Sequence, residues 1–184
     1  MAYEIQIIEG HDPSSYFWFH PAILQKKEMI DLFDVTLLED EFSIEEEDVY
    51  CFLSYFLNKY FDEKLISNWE RYDYSSCEYI HCFEWNLTHN FYTYATMEHM
   101  MDEITEVSEL LKKDYDNEIL KPIKKQFSTY YMCSCEDPDH GSSDPETIKR
   151  HVEVVIDFYH RFVHRVRKMM ENNKETDLMS IMGP

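Results

Sequence analysis

The chain has 184 residues, 44% of them apolar and 16% aromatic, and carries a formal net charge of −20. That length fits one domain with a real hydrophobic core, and 14 Tyr and 12 Phe set it apart from acidic disordered chains, which are poor in aromatics. The charge argues against direct binding to nucleic acid or anionic membranes, where Lys and Arg supply the affinity, and only three glycines (Gly10, Gly141, Gly183) exclude a G-x-G-x-x-G, Walker or G-x-S-x-G loop.

In chain order, the alternation in residues 3–8 (YEIQII) predicts a strand. GHDPSS is turn chemistry, and YFWFH, residues 16–20, reads as a second short strand. Pro21, suited to a first helical turn, starts an expected short helix over residues 21–33. The next segment, FSIEEEDVYCFLSYFLNKYF, predicts a helix. Ser43 and Glu46 have the spacing of a capping box, and Glu45, Glu47 and Asp48 would complement the positive end of the helix dipole. Val49, Phe52, Leu53, Phe56 and Tyr60 follow at helical spacing.

From Glu78 the period changes to two. Tyr79, His81, Phe83, Trp85 and Leu87 share one face of an expected strand over residues 78–88, extendable to Tyr92. A 3.6 period returns through Met97, Met101, Ile104, Val107 and Leu111, with Lys112 and Lys113 at the negative end. A shorter helix around residues 116–128 contains Pro122. After a polar loop, Asp144 as cap and Pro145 in the first turn open a long C-terminal helix of about 26 residues. Residues 174–184 (KETDLMSIMGP) read as a surface tail. The expected fold is α+β: a single, mainly helical domain with a small antiparallel sheet.

Two constellations suggest metals. Cys133 and Cys135 in CSCEDPDHGSSDP stand one residue apart, whereas structural zinc sites draw on pairs spaced by two to four. His140, Asp137 and Asp139 could complete a local shell, yet Asp, Pro, Gly and Ser are what any connector needs, and the loop reading prevails. Asp157, His160 and His164 line one helical stripe, with H-x₃-H spacing. At about 100° per residue they point nearly opposite the apolar face of Ile148, Val152, Val155, Tyr159, Val163 and Val166, so a solvated face is the better reading. Met97, Met100 and Met101 read as core filling. No catalytic residue, metal ligand or cofactor is assigned.

Charge is the remaining signal. Asp31 to Glu63 holds eleven acids against one base, Lys59, whereas residues 145–170 hold six bases against three acids. Glu39, Asp40, Glu41, Glu45, Glu46, Glu47 and Asp48 are therefore the expected partner-binding residues. The reading they support is a non-catalytic acidic protein that binds a basic protein. In its concrete version the partner is a DNA- or RNA-binding enzyme, inhibited by nucleic-acid mimicry as an anti-defence (anti-CRISPR-like) protein would do. The alternatives are a metal-binding protein or metal-dependent hydrolase using the His and Cys groups, and a homo-oligomeric structural or regulatory protein. With five cysteines, an odd number, and neither a signal-like segment nor an apolar run of about 18 residues, a cytoplasmic location is expected.

Overall fold

Nine consecutive residues, Tyr16–Leu24, form the strand around which the sheet is organised (β1). The computed structural model describes residues 16–24, 35–62, 71–73, 78–80, 89–127, 145–150 and 152–183. They are α+β, with more residues in helices than in strands. They fall into two compact units, which are taken in turn.

The first unit covers residues 1–46, 60–97 and 169–184 and contains the sheet. β1 pairs antiparallel with β7 (Leu178–Met182), which in turn pairs antiparallel with β6 (His89–Thr93). The other edge of β1 is shared. β3 (Phe42–Glu45) pairs with Tyr16–Phe19, and β2 (Val35–Leu37) pairs with Ala22–Leu24. Between these ladders four residues, Leu38 to Glu41, stand opposite two, His20 and Pro21, so β2 and β3 form one strand path interrupted by a bulge. Pro21 tolerates this central position because its carbonyl accepts Leu38 N–H at 2.9 Å. Its missing N–H therefore faces the same edge, where the partner strand changes.

Phe17, Phe19, Phe42, Phe91, Tyr92, Met179 and Ile181 supply the core of the unit, and the Phe19 and Phe42 rings stack at 4.6 Å. Leu178, Met179, Ser180 and Ile181 are buried in succession, so both faces of β7 are covered. A second, two-stranded sheet pairs β4 (Arg71–Asp73) with β5 (Glu78–Ile80).

The second unit covers residues 47–59 and 98–168 and is helical. The path α1 (Glu46–Asp48), a π-helical turn (Val49–Leu53) and α2 (Ser54–Lys59) is continuous. α3 spans Tyr94–Lys113 and buries Met97, Met100, Met101, Ile104, Val107 and Leu111. A 3-10 turn (Glu118–Leu120) leads into α4 (Lys121–Gln126). Asn117 caps the turn by accepting Ile119 N–H at 3.0 Å, and Pro122 lies in the first turn of α4, where no N–H is needed. α5 (Pro145–Arg150) and α6 (Val152–Asn172) follow. α6 buries Val155, Ile156, Tyr159, Phe162, Val163 and Val166 in this unit. The Phe52 ring packs on Phe127 at 5.9 Å and on Phe158 at 5.3 Å.

Several expectations need correction. Residues 21–24 continue β1 and do not start a helix: strands on both edges satisfy this backbone, and tertiary pairing overrides local propensity. Ser43 and Glu45 are strand residues in β3, so the Ser43–Glu46 capping box is not made and the helix starts at Glu46. The edge of β1 offers residues 42–45 a full ladder, which outweighs a local cap. Residues 174–184 are no surface tail, since Leu178–Met182 form the strand between β1 and β6. The strand expected over 78–88 has its beginning in β5, and β6 follows in the other sheet; residues 81–88 lie outside the described residues, as do 3–8 and 25–33. The helices expected from Met97 and Pro122 are present, and the long C-terminal helix appears as α5 and α6; residue 151 between them and the expected cap Asp144 lie outside the described residues.

Candidate interaction surface

The bulge between β2 and β3 carries three of the seven expected acids. Glu39 and Glu41 are exposed, and Asp40 is half-buried. Glu41 Oε2 lies 3.4 Å from His20 Nδ1, across the two-residue gap in the β1 ladder. Asp40 Oδ2 accepts Asn173 Nδ2–H at 2.8 Å, which ties the bulge to the turn between α6 and β7. Glu45 is exposed on β3 opposite Tyr16. Burial, and then the charge of Glu45, push the Tyr16 hydroxyl above its ordinary pKa. Glu46 closes this group half-buried, while Glu47 and Asp48, also half-buried, belong to the helical unit. The structure thus groups five of the seven acids on the sheet unit.

It also adds two acids that the tail reading passed over. The Tyr94 hydroxyl is hydrogen-bonded to Thr176 Oγ1 and donates to Asn173 O at 3.3 Å. Burial raises the Tyr94 pKa, the hydrogen bond with Thr176 lowers it, and the charges of Glu175, Asp40 and Asp177 raise it again. Those three carboxylates therefore act on one phenol, although Asp40 is more than 130 residues from the other two in sequence. No sequence pattern links them; only the return of the chain from α6 into β7 does.

Charge is divided unequally between the units. The described residues of the sheet unit contain eleven acids against two bases, Arg71 and Lys174, for a net −9. Those of the helical unit contain thirteen acids against twelve bases, for a net −1. Ion pairs run through the latter: Arg167 spans Glu98 (3.3 Å) and Asp102 (2.6 Å), and Lys149 meets Asp116 at 3.1 Å. Lys59 Nζ lies 2.6 Å from Glu103 Oε1. Burial works against the Lys59 charge, but the hydrogen bond and charge of Glu103, and then the charge and hydrogen bond of the Tyr55 side chain, outweigh it and hold the ammonium pKa above its ordinary value.

His160 and His164 are exposed on α6, and Asp157, also exposed, is engaged by Arg161 at 2.8 Å. Among the described residues no three His, Cys, Asp or Glu side chains converge as a metal site. Cys133, Cys135, Asp137, Asp139 and His140 lie outside those residues. No described helix is long and apolar enough to cross a membrane. No family model, curated protein or solved structure matches this chain.

One buried polar group had no counterpart in the sequence reading. Gln126 Oε1 accepts Tyr55 N–H at 2.8 Å, and Gln126 Nε2 lies 3.4 Å from the Tyr159 hydroxyl. That hydroxyl donates to Phe52 O at 2.9 Å. The side chains of α4 and α6 therefore meet backbone groups in and beside the π turn, as buried polar groups require.

Proposed function

We propose that this chain is a non-catalytic acidic protein that binds a basic protein partner through the carboxylates of the β2–β3 path, Glu39, Asp40, Glu41, Glu45 and Glu46. The partner class that fits is a DNA- or RNA-binding enzyme, held by a surface that stands in for phosphates. The observation that carries the reading is the segregation of charge: −9 on the described sheet unit against −1 on the helical unit. A charge spread evenly for solubility would not collect on one unit. Clustered charge of one sign raises association rates by about 10–10³-fold and acts over a Debye length of about 8 Å at physiological salt.

The test compares the protein with a Glu39→Lys/Glu45→Lys variant as bait in bacterial lysate, at low and high salt, with and without added DNA or RNA. Both positions are exposed, so the double reversal should alter stability by no more than about 0.5 kcal/mol per site. The expected result is a nucleic-acid-binding protein that the wild type captures, that the variant captures at least tenfold less, and that salt and nucleic acid both release. Equal capture by both baits, unaffected by salt, would sink the reading. Release by salt but not by nucleic acid would retain the acidic binder and discard the mimicry.

A further inference from the structure

The π turn at Val49–Leu53 divides an otherwise α-helical path. A π turn pairs an N–H with the carbonyl five residues back in place of four, and it is rare, occurring mostly as a single-turn bulge inside an α-helix. Something must hold it. Three contacts bear on its C-terminal side. Ser54 Oγ donates to Tyr50 O at 2.8 Å, which occupies a carbonyl of the turn. Tyr55 N–H donates to Gln126 Oε1 at 2.8 Å, and Phe52 O accepts from Tyr159 at 2.9 Å. Gln126 and Tyr159 are both buried, and they come from α4 and α6, remote in sequence from the turn.

We propose that Glu46–Lys59 is a two-register helix, held in its π register by Gln126 and Tyr159, and that this register sets which way Glu47 and Asp48 point. With the Gln126 amide present, Tyr55 N–H has an acceptor outside its own helix. Without it the nearest remedy is the α-type bond to the Cys51 carbonyl four residues back. Shifting from π to α register removes one residue from the turn and rotates Glu47 and Asp48 by about 100° around the axis relative to α2, the change being taken up at Glu46, between the turn and the last paired residue of β3. Glu47 and Asp48 would then face a different direction, while α2 and α3 stay in place. This inference does not depend on partner binding.

The experiment is NMR on the full chain and on Gln126→Leu. In the wild type, Tyr55 N–H should show a cross-peak to the Gln126 side chain, and Val49 should show the five-residue contact to Ser54 that a π turn produces. In Gln126→Leu that contact should give way to the four-residue pattern, and exchange of the Tyr55 amide should change at least tenfold, with the amides of Ile104 and Val107 in α3 unchanged. Tyr159→Phe keeps the ring and removes only the hydroxyl; it should shift part of the population to the α register. A π pattern that persists in both variants overturns the proposal. If neither variant folds, the wild type decides, because absence of the Tyr55–Gln126 and Val49–Ser54 contacts would overturn it equally.

Discussion

Ending the chain after Asp177 is expected to abolish the cooperative fold of the sheet unit. Residues 178–182 are the strand that β1 and β6 both need: β1 pairs with it from Trp18 to Ala22 and β6 along its whole length. Its loss removes Leu178, Met179 and Ile181 from the core and uncovers Phe17, Phe19, Phe91 and Tyr92. It also leaves Asn90 Nδ2, which donates to Ile181 O at 3.2 Å, buried without that acceptor. Burying three such apolar side chains stabilises by roughly 5–9 kcal/mol at about 1.5–3 kcal/mol each. Whole domains are stable by only about 5–15 kcal/mol. Near-ultraviolet circular dichroism of the truncated chain should lose the signal of packed aromatics, and its urea transition should broaden or vanish. Met179→Ala alone should cost about 2–5 kcal/mol. A truncated chain that unfolds cooperatively, with a midpoint close to that of the full chain, would refute the central role of this strand.

Raising the pH above 10 should destabilise the protein steeply, and two tyrosines account for much of the slope. Tyr92 and Tyr159 are fully buried, and burial pushes both phenols well above their ordinary pKa; Cys51 adds to the effect at Tyr159. In the unfolded chain both would ionise near pH 10. Above that value the folded state binds more protons than the unfolded state, so stability falls with pH. Their contribution is fully present below pH 10 and is lost as pH rises through the folded-state values. Each tyrosine adds a slope of about 1.4 kcal/mol per pH unit in that window. Urea midpoints between pH 8 and 11 for the wild type and Tyr92→Phe measure this directly: the variant should lose about 1.4 kcal/mol per pH unit of slope above pH 10 and little below it. Equal slopes would show that Tyr92 titrates in the folded protein as it does in water.

The helical half of this protein was legible because its periodicity is local. Met97, Met101, Ile104, Val107 and Leu111 recur at the spacing of one helix face, and all five are buried. Val155, Tyr159, Val163 and Val166 likewise mark the buried side of α6, and His160 and His164 fall on its exposed side as the helical wheel requires. Pro122 and Pro145 punctuate their helices for a reason contained in the residue itself: proline needs no donor in a first turn. The acidity of residues 39–48 was equally plain, since charge is counted without coordinates.

What the sequence did not contain was the pairing of distant segments. LMSIM reads as a short apolar run with no clear period, and it became a central strand because β1 and β6 cover it from both edges. Ser43 and Glu46 met the local rule for a helix cap, yet β1 offered residues 42–45 a ladder of backbone hydrogen bonds, and the ladder prevailed. The same holds at the surface. Asp40 joins Glu175 and Asp177 around Tyr94 only because the turn after α6 brings Asn173 to the bulge. Gln126 finds Tyr55 across 71 residues. Local spacing determines which face of a helix is apolar, because a helix satisfies its own backbone. A strand leaves its backbone groups to be satisfied by another segment, so tertiary structure alone decided the order of the sheet, the company of the acids and the register of the turn.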